Sequence, residues 1–489
     1  MILKNYQKLV IKDLMNYLHA LDENSAASAY NKFWLDKGIK VGHYKEILPY
    51  QDLLGGVPSV CVKVPTGGGK TFIACNAVKP IFDKLSFFNK VVVWLVPSDA
   101  ILTQTLATLR NPDHAYRQQL NMDFNHRVEV YTKEELLNGQ NFNSSIIEDQ
   151  LSVMVLSYDS FRGRGKEFLK SKQENPNFAS FSDDGSDISL IETINRLNPV
   201  VIVDESHHAK SPLSVEMLQN FNPRFVLELT STPRKGSNII SFVDAAALKK
   251  ENMVKLPVIV YNHSKTKKVI STTIELRNNL ENLAKIERQN GGKYIRPIVL
   301  FQAQPKTSDD AETFEKIRER LIKDYKILEE QIAIKTAQID ELKNINLLSE
   351  SCPIRYIITI NALGEGWDCP FAYILASLAN KSSVVDVEQI LGRLLRLPHT
   401  RHNDNKLLNM SYVFTSSAHF QTTLEHIVKV LNGEGFSKRD CLPITKTELI
   451  APELELAPPE NVSDEEDDFD DDTVTIDKIK EKALAQCDE

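Results

Sequence analysis

Three glycines stand in a row at 67–69, with a lysine and a threonine behind them, in the stretch VPTGGGKT at residues 64–71. Consecutive glycines are costly in a helix or strand, because glycine loses the most backbone freedom on ordering. They permit backbone angles closed to other residues and let a ligand approach the main chain. Upstream, PSVCVKV reads as a short buried strand; downstream, FIACNAVK continues as a helix. A strand, a glycine turn and a helix start together make an anion cradle. Free N–H groups point at the ligand and the helix dipole favours negative charge. Pro65 and Thr66 lead into the turn, Gly67, Gly68 and Gly69 wrap the phosphates, Lys70 reaches the terminal phosphates, and the Thr71 hydroxyl sits on Mg2+. The strict pattern asks for glycine six residues before the lysine, where Val64 stands, so a second site has to support this reading.

VIVDESHHA supplies it. Asp204 and Glu205 end an apolar run, and ligands bind at the C-terminal edge of parallel sheets. Two adjacent carboxylates are expensive to bury without a cation. Asp204 is therefore expected to hold Mg2+, directly or through water, and Glu205 to polarise an attacking water. Alone, the pair also fits an exposed strand-end turn; the glycine cradle in the same domain weighs against that. His207 and His208 suggest zinc ligands, but no further His/Cys cluster supports zinc. In LTSTPRKGSN, Thr230, Ser231 and Thr232 either sense hydrolysis through hydrogen bonds or form a simple turn before Pro233. In VEQILGRLLRLP, Arg393 and Arg396 are three apart, hence on one helical face. Such arginines reach a γ-phosphate across a cleft, although two surface arginines would have the same spacing. NALGEGWDCP, residues 361–370, has the glycines of a loop that approaches a ligand or of a plain turn.

These residues need rigid elements to hold them. The first fifty residues read as helical, with YQKLVIKDLMNYLHAL apolar at helical spacing. From Pro58, β-branched runs (PSVCVKV, VVVWLVP, VEVY, VMVLS, PVVIVD, FVLELT) alternate with amphipathic or polar segments. That rhythm means a mostly parallel sheet covered by helices. Residues 173–187 are polar and punctuated, and read as a surface loop. A second series starts near Ile295: PIVLFQ, QIAIK, RYIITI, YILASL and SYVF. Between its first two runs, Phe314, Ile317, Leu321 and Tyr325 share a helical face. The fold class is α/β, organised as a helical region at 1–50, an α/β domain at 51–263, a charged helical connector at 264–294, a second α/β domain at 295–445 and an acidic tail at 446–489. No internal repeat is visible.

A chain of 489 residues, 42% apolar and 25% charged, is long enough for several domains. It has no apolar run able to span a bilayer and no signal-peptide core. Six scattered cysteines without a CxxC pair fit a reducing cytoplasm. The net charge of −8 is carried by DEEDDFDDD at 464–472, which holds eight acidic residues and reads as a solvated, disordered tail. The rest is neutral, so a polyanion site must be a local groove.

The ordered series PTGGGKT, DESH, TSTP, NALGEGWD and QILGRLLR resembles superfamily 2 helicases and translocases. VVVWLVPSDAILTQTL, SNIISFVDAAALKKENMVKLPVIV, RPIVLFQAQ and GEGWDCPFAYILASL resemble the restriction subunit of type III restriction-modification enzymes, over about Leu3 to Pro398. The resemblance implies two RecA-like domains with ATP between them. By match to the family's motifs, it implies that Tyr6 and Gln7 read adenine and Gly67 to Thr71 bind phosphates. Asp204 and Glu205 would handle Mg2+ and water, and His207 and Gln389 would couple the domains. Gly364, Glu365, Gly366 and Asp368 would meet nucleotide and nucleic acid, and Arg393 and Arg396 would be arginine fingers. The family's usual DEAH reads DESH here.

In full restriction subunits a nuclease domain follows the motor, with an acidic residue and then Asp/Glu-x-Lys on a neighbouring strand. No strand-borne pattern of that kind follows Pro398; ELK at 341–343 fits the letters but lies in a helix-like segment. The expectation is an ATP- and Mg2+-dependent motor on duplex DNA in a restriction or phage-defence system, without its own nuclease, and served by a methyltransferase or nuclease subunit. An RNA helicase and a slow ATP-dependent clamp are the alternatives.

Overall fold

A computed structural model describes residues 2–444 except 23, 43–46, 86, 88, 162–165, 206–211, 235, 264, 305–311, 337, 344, 361–368, 379–393, 417–427, 429–430 and 432–440. The first of its two seven-stranded parallel sheets comprises β1 (Ser59–Lys63), β2 (Lys90–Val96), β3 (Val128–Tyr131), β4 (Leu151–Ser157), β5 (Val200–Asp204), β6 (Phe225–Thr230) and β7 (Ile239–Phe242). Their order in space is β3-β4-β2-β5-β6-β1-β7. Strand period shows in β2: Val92, Trp94 and Val96 enter one buried cluster, and Val91, Val93 and Leu95 the other. A sheet buried on both faces is what near-continuous apolar strands require.

The second sheet comprises β8 (Val258–Asn262), β9 (Ile298–Gln302), β10 (Ile332–Lys335), β11 (Tyr356–Thr359), β12 (Ala372–Ser377), β13 (Ser411–Thr415) and β14 (Cys441–Ile444). Its order is β10-β11-β9-β12-β13-β8-β14, the order of the first sheet repeated strand for strand. The chain therefore holds two α/β domains of one RecA-like topology.

The repeat corrects the reading of residues 258–294. The run VIVYN, assigned from sequence to the first domain, pairs with β13 and β14 inside the second sheet. The helix Thr266–Gln289, read as a connector, packs on β9, β12 and β13 of that sheet. Its buried face contains Arg277 and Glu281, which pair with each other, and Arg355 joins Glu281 at 2.8 Å. An ion network inside the apolar face made the helix look solvent-facing. Residues 173–187 also depart from the loop reading. They include a short 3₁₀ turn, Pro176–Phe181, and Phe178 is fully buried edge-on to Phe142. Residues 341–343 form a turn rather than a helix, with Glu341 paired to Arg318 at 3.2 Å.

The N-terminal region is helical: α1 (Asn5–Ala20) and α2 (Ala26–Asp36). α1 buries Tyr6, Gln7, Val10, Leu14, Tyr17 and Leu18 against α3 (Lys70–Lys84) and β7. Each large apolar side chain so buried contributes about 1.5–3 kcal/mol. Trp34 of α2 donates from its indole nitrogen to the Ile239 carbonyl at 3.1 Å, fastening these helices to the edge strand. Among the described residues, no helix is long and apolar enough to cross a membrane. The acidic tail lies outside the described residues.

Candidate active site

Sheet register brings the sequence-selected residues together. Lys63 at the end of β1 lies beside Thr230 at the end of β6, and Asp204 at the end of β5 lies beside Leu229. Three adjacent parallel strands thus release their chains at one edge, into 64–71, 204–205 and 230–232. The Val64 N–H donates to the Thr230 carbonyl at 2.9 Å, continuing the ladder into the first turn.

Each of the three glycines has its own reason. Gly67 and Gly69 take φ of +81° and +73°, the left-handed region that penalises side chains. A Cβ on Gly68 would sit 2.4 Å from Val64 Cγ1 and 3.0 Å from the Pro65 carbonyl oxygen. Val64, where the strict pattern has glycine, is therefore a packing partner of the loop. A Cβ on Gly69 would also lie 2.7 Å from Gln7 Nε2. Gly69 caps α3, which opens at Lys70 and Thr71, so the helix N-terminus faces out of the loop.

Lys70 is largely buried, and its ammonium lies 2.9 Å from Glu205 Oε1. Glu205 adopts φ +51°, uncommon for a residue with a side chain and the kind of backbone strain found at active sites. Asp204 is buried, and its Oδ1 has no hydrogen-bond partner among the described residues. Burial, reinforced by the charge of Glu205 and opposed by Lys70, pushes its carboxyl up to about 7. A buried carboxylate atom without a partner, beside a second carboxylate, fits a cation ligand. Thr71, in the first turn of α3, supplies a hydroxyl near the same edge. Among the described residues, no cluster of three or more His, Cys, Asp or Glu could hold a metal.

Tyr6 and Gln7 also belong to this site. The Tyr6 hydroxyl donates to the Gly68 carbonyl at 2.7 Å, and Gln7 Nε2 donates to the same oxygen at 3.2 Å. Gln7 Oε1 accepts from the Lys4 N–H at 2.9 Å, capping α1. The N-terminal helix thus grips the middle of the glycine turn. Thr230 and Ser231 are buried, and the Thr232 N–H donates to Thr230 Oγ1 at 3.2 Å.

Arg396 reaches the loop from the second domain. A Cβ on Gly67 would meet Val254 Cγ1 at 3.3 Å and Arg396 Cγ at 3.6 Å. Arg396 is not on a helical face, as its spacing from Arg393 suggested. It forms an antiparallel bridge with Val254, flanked by Lys255 N–H to Leu395 carbonyl at 2.5 Å and Leu397 N–H to Met253 carbonyl at 3.0 Å. Backbone pairing with residues 251–257, the strap between the first domain's last helix and β8, replaces the helix there. His207, Gly364, Glu365, Gly366, Asp368, Gln389 and Arg393 lie outside the described residues. Val254 and Lys255, which lie within SNIISFVDAAALKKENMVKLPVIV, carry no residue type or spacing that singles them out; only the bridge to Arg396 does.

Residues 1–235 match the family model described as type III restriction enzyme, res subunit. No curated protein matches the chain. Among solved structures, the chain is similar to the DNA-bound ATP-dependent Type ISP restriction-modification enzyme LlaBIII. The identity is 13%, the TM-score 0.51, and the match covers 92% of this chain and 32% of that one. It is also similar to the Mycobacterium smegmatis helicase Lhr bound to single-stranded DNA and AMP-PNP, at 14% identity and TM-score 0.45, over 86% of this chain and 49% of that one. At such identities the likeness is one of fold. This chain spans about a third of the length of the LlaBIII chain.

Proposed function

We propose that this chain, whose residues 1–235 match the family model of the type III restriction enzyme res subunit, is a superfamily 2 helicase-type protein and an ATP-driven motor on duplex DNA. The observation that carries this reading is the single edge where Lys70 and Glu205 meet at 2.9 Å over the glycine turn, with Asp204 buried beside them. Lys70 and the turn's N–H groups bind the phosphates of ATP, and Tyr6 and Gln7 set the position of the turn while contacting the base. Asp204 and Thr71 would hold Mg2+, which supplies charge neutralisation at the phosphates. Glu205 accepts the proton of the attacking water. Arg396, whose stem lies against Gly67 from the second domain, stabilises charge developing on the γ-phosphate. Arg393 is its proposed companion. Gly366 and Asp368, with Gly364 and Glu365, would line the nucleotide and nucleic acid, and His207, Thr230, Ser231, Thr232 and Gln389 would couple the domains. Opening and closing of the cleft then moves a strand held across both domains.

The setting is a restriction-like or phage-defence system in the cytoplasm, with a methyltransferase or nuclease subunit as partner. Phosphate release should be measured with duplex DNA, single-stranded DNA, RNA and no nucleic acid. The proposal expects the greatest stimulation by duplex DNA, weakening with salt as phosphate contacts are screened, and uncut plasmid throughout. Equal turnover in all four conditions would contradict a motor, and stimulation by RNA alone would reassign it to RNA.

A further inference from the structure

Lys255 lies in the strap that carries the chain from the first sheet to the second, and it is completely buried, at 0% exposure. Its ammonium donates to the Arg396 carbonyl at 2.5 Å and to the Pro370 carbonyl at 2.9 Å, and it lies 4.6 Å from the centre of the Tyr373 ring. Its main chain is fixed as well: the N–H donates to the Leu395 carbonyl at 2.5 Å, and the carbonyl accepts from Ser411 Oγ at 3.1 Å. An ammonium taken out of water is costly, and an apolar side chain of similar length would fill the space without that cost. What the charge does here is tie together two carbonyls. Pro370 closely follows the loop 361–368, and Arg396 ends the arginine-bearing segment, so one cation joins the ends of both segments read as facing the cleft.

We propose that Lys255 is a positioning residue for Arg396, fixing the guanidinium over the phosphate cradle and linking that position to the strap between the domains. Val254 and Arg396 are bridge partners, and both touch the space beside Gly67. Val254 and Arg396 therefore pack as one paired unit beside the first glycine of the cradle. Lys255 touches no reacting atom; it acts through the Arg396 main chain. Misplacement of a catalytic group by about 1 Å can cost about 100-fold in rate.

This inference rests on the reading of Arg396 as an arginine finger, and a double-mutant cycle separates the two. Lys255→Met should lower kcat for ATP by about 10- to 100-fold with KM little changed. In an Arg396→Ala background the same substitution should have no further effect on kcat, because both changes remove one function. Lys255→Gln, which keeps a donor, should fall between wild type and Lys255→Met and carries the test if the methionine variant does not fold. Binding of a fluorescent ATP analogue reports that the cradle is intact in each variant. Wild-type kcat in Lys255→Met, or an equal loss with and without Arg396, overturns the positioning role. Wild-type kcat in Arg396→Ala instead overturns the finger reading beneath it.

Discussion

The two sheets have the same strand order and opposite edges. In the first, the strand ends and the turns leaving them present Lys70, Asp204 and Glu205, and the turn after its first strand is glycine-built. In the second, the strands equivalent to β1, β2, β4, β5 and β6 end in the uncharged Asn262, Gln302, Thr359, Ser377 and Thr415, and β10 at the margin ends in Lys335. Four of the uncharged ends pair: Ser377 Oγ donates to Gln302 Oε1 at 2.8 Å, and Thr415 Oγ1 to Asn262 Oδ1 at 2.9 Å. Asp204 and Ser377 occupy equivalent strand ends, so one topology holds a buried carboxylate with an unpartnered oxygen in one copy and a hydrogen-bonded hydroxyl in the other. Topology brings residues to an edge; the types and charges of those residues decide whether the edge does chemistry.

The comparison breaks if the first edge can lose its charge without consequence. Lys70→Ala should reduce ATP turnover to background while circular dichroism remains that of the wild type. Near-normal turnover in the folded variant would remove the first edge from the chemistry. Next in size, Arg396→Ala should slow turnover by about 10³-fold with modest loss of ATP affinity, since a finger acts on transition-state charge. Normal turnover with weak binding would make Arg396 a ground-state ligand. Gln7→Ala removes a donor to the Gly68 carbonyl and the cap on Lys4. About 1–2 kcal/mol of lost hydrogen bonding should weaken ATP binding about tenfold, read by titration with a fluorescent analogue. The smallest effect sharpens the contrast. Ser377→Ala should cost about 1 kcal/mol of stability in chemical denaturation and leave basal ATP turnover unchanged. A large loss of basal turnover would mean that the Ser377 hydroxyl itself shares the chemistry.

The residues that meet in the candidate site stood out in the chain because the proposed chemistry demands local residue types. Three glycines before a lysine, and two acids ending an apolar run, have few other uses together. The strands were legible for a similar reason: β-branched runs such as VVIV and IVLF have few other places to go. The repeat was not legible, since equal topology needs only apolar strands of suitable length and the two edges carry different residues. Val258–Asn262 reads like any other strand, and only pairing reveals which sheet owns it. Arg277 and Glu281 disguised a buried helix face, because a satisfied ion pair looks like solvent-facing charge in a sequence. Arg396 misled in the opposite direction: its spacing is helical, but a backbone bridge to Val254 sets its conformation.

In the proposed function the first edge binds ATP and Glu205 activates the water that hydrolyses it. Glu205→Gln separates those two acts, because the amide can still accept a hydrogen bond but cannot take up the proton of the attacking water. ATP binding and single-turnover hydrolysis measured on one preparation of this variant provide the most direct test. Nucleotide affinity should stay near the wild-type value while hydrolysis falls to background. Hydrolysis at the wild-type rate, or loss of nucleotide binding together with hydrolysis, would contradict the proposed function.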